Sequence, residues 1–169
     1  MVAHLLGKPY GWGGYLENRD CSSMIRDLLG TYNIWLPRDS KDQMNIGRTY
    51  DFPSTPDEKI ALIKEKAIPF FTILRKKGHN MLYVGNAPNG EPLILHAIWG
   101  LKTSYNNERL ARFLDEYPIE GIHQDKDGQL KGRYIIGETV ITSVNIGQTE
   151  HGVAVPLIDE IYAMTNIME

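Results

Sequence analysis

His79-Asn80-Met81-Leu82-Tyr83-Val84-Gly85-Asn86-Ala87-Pro88-Asn89-Gly90-Glu91-Pro92-Leu93-Ile94-Leu95-His96-Ala97-Ile98 is the stretch that decides the architecture. Two apolar segments flank a centre of Asn, Pro and Gly, which is the composition of a β-hairpin. The strands are expected over residues 80–84 and 92–98. Phe70-Phe71-Thr72-Ile73-Leu74 precedes them as another strand, and residues 134–144, rich in β-branched side chains, read as one or two more. Upstream the texture is helical. Residues 21–32 carry Met24, Ile25, Leu28, Leu29 and Tyr32 at helical spacing, a short helix fits 41–46, and Pro56 opens another that runs to Ala67. Helices first and consecutive strands after read as an α+β fold with N-terminal helices packed on a central antiparallel sheet. Residues 2–6 read as the last turn of a helix, 51–55 as loop, 106–116 as a short helix and 157–168 as a closing amphipathic helix.

The hairpin also gathers chemistry. Its turn centres near Pro88, with His79 nine positions before and His96 eight after. Folding there brings the two imidazoles within about one residue of directly opposite, where Cβ atoms lie about 4.5–5.5 Å apart. A slip of one residue would put them on opposite faces. Facing histidines are chance neighbours, metal ligands, or a base and its orienting partner. A metal would need further ligands, and neither an HxH nor an HExxH spacing occurs, so no metal and no cofactor is expected.

A base needs a nucleophile. The chain has 169 residues and a single cysteine, Cys21, so neither an intrachain disulfide nor a three- or four-cysteine zinc site can form. Asp20 is a good N-cap, so Cys21 opens a helix, where orphan N–H groups and the helix dipole favour a thiolate and a lowered thiol pKa. The plain alternative is a small buried hydrophobe. His4, His123 and His151 lack periodic context and read as surface residues. Lys plus Arg is 18 against 21 Asp plus Glu, a net charge of −3 that does not suit nucleic acid. Apolar residues at 42% and the length fit one catalytic domain over residues 1–169. No apolar run approaches the roughly 18 residues of a membrane span.

Tyr10-Gly11-Trp12-Gly13-Gly14, Asp20-Cys21-Ser22, Leu36-Pro37-Arg38-Asp39-Ser40 with Gln43, Gly78-His79-Asn80-Met81-Leu82-Tyr83-Val84-Gly85 and Leu95-His96-Ala97 stand in an order that resembles the NlpC/P60 cysteine peptidases. The resemblance implies a papain-like α+β fold and hydrolysis of peptidoglycan stem peptides or muropeptides, typically between γ-D-glutamate and a diamino acid. It implies Cys21 as nucleophile, His79 as base and His96 as orienting residue. Tyr10 matches the tyrosine near the thiol. Trp12, Asp20, Ser22, Asp39 and Ser40 match pocket residues of the members that cut free muropeptides, where the match of Asp20 holds the free amine of L-alanine. Trp12 and Tyr10 equally suit covering the core, and Asp20 equally suits a plain N-cap.

Ser23 departs from the glycine usual in the family and is expected on the helix surface. Residues 48–69 and 106–131 are long insertions expected to shape the groove. Residues 132–142 are similar to the last strand of members with upstream bacterial SH3-like domains. With the abrupt glycine-rich start, this suggests a chain cut from a longer exported protein of the periplasm or cell envelope; a cytoplasmic location is the alternative. An amidase or acyltransferase on a similar scaffold, a wall-binding domain and a redox sensor are the competing functions. The last two leave the paired histidines without a role.

Overall fold

The structure, a computed structural model, describes residues 2–105, 119–128, 130–147 and 155–169. The helix expected over 106–116 and His151 lie outside the described residues. The chain begins with a 3-10 turn at Val2–His4, where a helix end is expected, and a second at Trp12–Glu17. Then come α1 (Cys21–Gly30), α2 (Ser40–Gln43), β1 (Arg48–Asp51), α3 (Pro56–Lys66), β2 (Thr72–Lys76), β3 (His79–Asn86), β4 (Pro92–Tyr105), β5 (Ile119–Gln124), β6 (Leu130–Ser143), α4 (Leu157–Glu160) and β7 (Ile161–Asn166). The seven strands form one sheet in the order β1-β7-β2-β3-β4-β6-β5, antiparallel at every pairing.

The strand alternation builds two cores. Ile73, Leu82 and Leu95 face α1, whose Met24, Ile25, Leu28 and Leu29 are all buried against them. Each such side chain contributes about 1.5–3 kcal/mol by leaving water, enough to hold a ten-residue helix on the sheet. Leu74, Met81 and Ile94 face the other way, under Ile63 of α3 and Leu157 and Ile158 of α4. α1 stops at Gly30, so Tyr32 falls beyond it and is exposed.

The C-terminal region differs from the helix expected there. Leu157, Ile158, Ile161, Met164 and Ile167 mimic a helical stripe, but only Leu157–Glu160 is helical. Residues Ile161–Asn166 form β7, inserted between β1 and β2. Both faces of β7 are covered, so Ala163, Thr165 and Asn166 are buried as well, which a one-sided helix would not achieve. Its polar groups find partners across the sheet. The Thr165 and Thr49 hydroxyls lie 2.8 Å apart, and Asn166 Nδ2 donates to the Lys66 carbonyl at 3.0 Å.

The insertion at 48–69 supplies β1 and α3. These pack on the second core rather than shaping the groove, and none of their residues borders the clefts beside His79. No helix among the described residues is long and apolar enough to cross a membrane.

Candidate active site

The start of α1 meets the start of β3. Asp20 caps α1 with a reciprocal pair of bonds: its Oδ1 accepts from the Ser23 N–H and its own N–H donates to Ser23 Oγ, both at 2.9 Å. Ser23 is therefore buried in a capping box, not on the helix surface as expected.

Cys21 follows, 6% exposed, with the Asn80 backbone N–H directed at its sulfur. Burial pushes the thiol pKa up, and the Asp20 carboxylate adds to this. The N–H groups of Asn80, Ser22 and Cys21 pull it down without reversing the net rise. The lowered pKa expected from the helix terminus is thus overturned by desolvation, the opposing effect on a charge.

Tyr10 stands beside the thiol because residues 7–10 run along β6. Gly7 N–H donates to Thr139 O at 2.9 Å, Thr139 N–H to Lys8 O at 2.9 Å, and Tyr10 N–H to Gly137 O at 2.7 Å. The Cys21 backbone N–H is directed at the Tyr10 hydroxyl, whose pKa is raised first by burial and then by Cys21 and Asp20.

The two histidines meet, but diagonally. β3 and β4 pair Leu82 with Leu95 beyond a bulge at Tyr83/Gly85, and the tight turn runs from Ala87 to Glu91. Continuing that register sets Met81 opposite His96, with His79 one pleat further along on the same face. The even offset keeps the rings together. His79 Nε2 and His96 Nδ1 are 3.0 Å apart, and His96 Nε2 lies 3.0 Å from Thr142 Oγ1 on β6. Two tautomer sets satisfy this chain. In one, His96 Nε2–H donates to Thr142 and His79 Nε2–H donates to His96 Nδ1, leaving His79 Nδ1 as a basic lone pair. Burial holds the His79 pKa well below its ordinary value, with His96 and Lys76 adding to the effect. Burial and Lys76 bring His96 down to about 3. Both imidazoles are neutral at pH 7. Thr142 went unrecognised in the sequence, because a threonine on a later strand carries no local mark of this contact.

Asp20 and Ser22 form a second network. Arg38 grips the carboxylate with both nitrogens, Nη2 to Oδ2 at 2.5 Å and Nη1 to Oδ1 at 3.1 Å, and Nη1 also reaches Ser22 Oγ at 2.9 Å. Burial alone would raise the Asp20 pKa, but the bonds from Arg38 and Ser23 leave it lowered. Gln43, fully buried, ties the layers together. Its Nε2 donates to Ser22 O at 2.9 Å and its Oε1 accepts from Asn80 Nδ2 at 3.0 Å. The Ser40 carbonyl accepts from Asn80 Nδ2 at 2.8 Å, and exposed Asp39 caps α2.

Asp20→Ala should cost about 1–2 kcal/mol of stability by removing the N-cap and stranding Arg38. Asp20→Asn should fall between it and the wild type, since an amide oxygen still caps. Urea midpoints check both, and an Asp20→Ala midpoint equal to wild type would mean that the cap carries no stability.

Of the expected site residues, Tyr10, Trp12 and His79 border an open cleft of about 240 Å³, together with Lys76, Lys77, Trp99 and Arg133. Trp12 is 60% exposed and packs edge-on to Tyr10 at 5.1 Å between ring centroids, with Trp99 6.1 Å from it. Cys21, Asp20, Ser22, Asp39, Ser40 and His96 are not in its lining.

A helix-terminal cysteine against an antiparallel sheet that carries a buried pair of histidines defines a papain-like α+β protein. The chain belongs to the NlpC/P60 family, which it matches over residues 7–112. It is similar to the structure of an NlpC/P60 endopeptidase from Photobacterium damselae subsp. piscicida, at 26% identity and a TM-score of 0.79 over 99% of this chain. The chain spans 37% of the length of that protein. No curated protein matches the sequence.

Proposed function

We propose that the chain is a cysteine peptidase of cell-wall peptides that cleaves the bond between γ-D-glutamate and a diamino acid. The observation that carries this reading is the hydrogen-bonded series His79–His96–Thr142, reaching β3 one residue from the backbone N–H that holds the Cys21 sulfur. In this reading His79 Nδ1 takes the thiol proton as Sγ attacks the carbonyl carbon. The tetrahedral oxyanion is met by the Cys21 N–H and the Tyr10 hydroxyl. Collapse expels the amine, which receives its proton from His79, and water then hydrolyses the thioester to regenerate the thiol. His96 acts by orienting His79, and Trp12, Asp20, Ser22, Asp39 and Ser40 belong to the substrate side. Both oxygens of Asp20 are already bonded to Arg38, so holding a substrate amine there requires that amine to share the carboxylate with Arg38. An envelope location and upstream SH3-like domains belong to the same reading.

Mass spectrometry of L-Ala-γ-D-Glu-diaminopimelyl-D-Ala after incubation tests the bond. The expected products are L-Ala-D-Glu and diaminopimelyl-D-Ala. An intact peptide, or cleavage at any other bond, overturns the assignment.

A further inference from the structure

Beside His79 the molecule gathers Lys76, Lys77, Lys102, Lys131 and Arg133, a concentration of positive charge on a chain of net charge −3. The small cleft at His79 runs into a larger one of about 550 Å³, the two sharing Trp12, Trp99, Lys102 and Arg133. The larger cleft adds Lys131, His123 and Thr103. Among the described residues neither wall contains an aspartate or a glutamate.

On one side the sheet sets Lys102 directly opposite Arg133, and on the other it sets Glu120 of β5 opposite Arg133. Two cations directly opposite each other are unfavourable in a sheet unless something neutralises them. Lys76 and Lys102 are answered from outside the clefts by Glu160, and Lys131 by Asp125. Arg133 makes no ion pair among the described residues. Its stem crosses Gly100, where a Cβ would stand 2.8 Å from Arg133 Cγ, so glycine lets the guanidinium sit at the junction of the two clefts.

We propose that this joined cleft binds the leaving-group side of the substrate and selects peptides whose leaving segment carries free carboxylates, with Arg133 as the selecting residue. This rests on the proposed peptidase reading. The departing amine takes its proton from His79, so the segment attached to it passes along the His79 side, where the cleft begins. A guanidinium fork matches a planar carboxylate with two parallel bonds. Trp12 and Trp99 offer flat apolar walls to the carbon skeleton between carboxylates.

The test compares two substrates that differ only in the leaving segment, with its carboxylates free or converted to carboxamides. The wild type should favour the free acid by at least about tenfold in kcat/KM, the scale of one charged hydrogen bond, with the difference carried by KM. In Arg133→Ala that ratio should fall to within about twofold of unity, and Arg133→Lys should recover part of it, since a point charge replaces the fork. A wild-type ratio near unity, or the same ratio in Arg133→Ala, overturns the proposal. If neither substrate is cleaved, the peptidase reading fails, and tryptophan fluorescence then reads the cleft by itself. Saturable quenching by the free-acid leaving peptide that weakens in Arg133→Ala upholds the carboxylate site. No quenching, or equal quenching in the variant, removes it.

Discussion

Cys21→Ala is expected to lower kcat on the γ-glutamyl peptide by about 10⁴-fold or more while moving the urea midpoint little. The chain has no second cysteine, and the hydroxyls nearest the thiol are unsuited to replace it. Ser22 Oγ donates to Asp20 and accepts from Arg38 at 2.9 Å, and Ser23 Oγ is consumed by the capping box. Both face the Asp20 carboxylate, which Arg38 and Ser23 hold at a lowered pKa and so leave too weak to take a hydroxyl proton. The fold tolerates the change because alanine keeps the helix start, and the N-cap bonds belong to Asp20 and Ser23. Cys21→Ser should lose nearly as much. A neutral imidazole is too weak a base to ionise an alcohol without the rest of a serine-type site. Steady-state rates with the defined peptide, together with urea denaturation, separate loss of chemistry from loss of fold. Hydrolysis by Cys21→Ala above one hundredth of the wild-type rate would mean that the thiol is not the nucleophile.

What could be read from the sequence, and what could not, follows from the range of each signal. α1 was legible because its cap and its stripe of Met24, Ile25, Leu28 and Leu29 are local, while its end at Gly30 was read past, to Tyr32. The meeting of His79 with His96 was legible because one hairpin brings them together. Its register was off because a bulge at Tyr83/Gly85 leaves no compositional trace. The offset did no harm to the pairing, since two positions on a strand return to the same face. β1 and β7 were missed together. Each is the other's partner across more than 100 residues, and β7 buries Thr165 and Asn166, which local patterning assigns to the surface. The thiol pKa was misjudged for a similar reason. The helix terminus is visible in sequence, whereas the burial that outweighs it comes from β3 and from the segment 7–10 pinned along β6.

That balance of burial sets the second large effect, the loss of the base. With the thiol pKa raised and both imidazole pKa values lowered, thiol and imidazoles alike rest neutral, and the proposed pair starts as a neutral thiol and a neutral base. Sγ must therefore lose its proton during attack, so His79→Ala should reduce kcat by about 10³-fold, within the usual span of a general base. The pH dependence follows with a definite sign. With His79 as the proposed base, activity requires it unprotonated, and burial, His96 and Lys76 hold its pKa well below 6.5, so the acid limb of kcat/KM should lie below pH 6.5 rather than at it. Removing the charge with Lys76→Met takes away one of those causes, so the limb should move up toward 6.5. His96→Asn leaves a polar partner for His79 Nε2 and should cost less than His79→Ala. No thiolate absorbance near 240 nm should appear at pH 7 in the free protein, and iodoacetamide should react no faster than with a free thiol. An acid limb at or above pH 6.5 in the wild type, or a His79→Ala rate within tenfold of it, would remove His79 as the base.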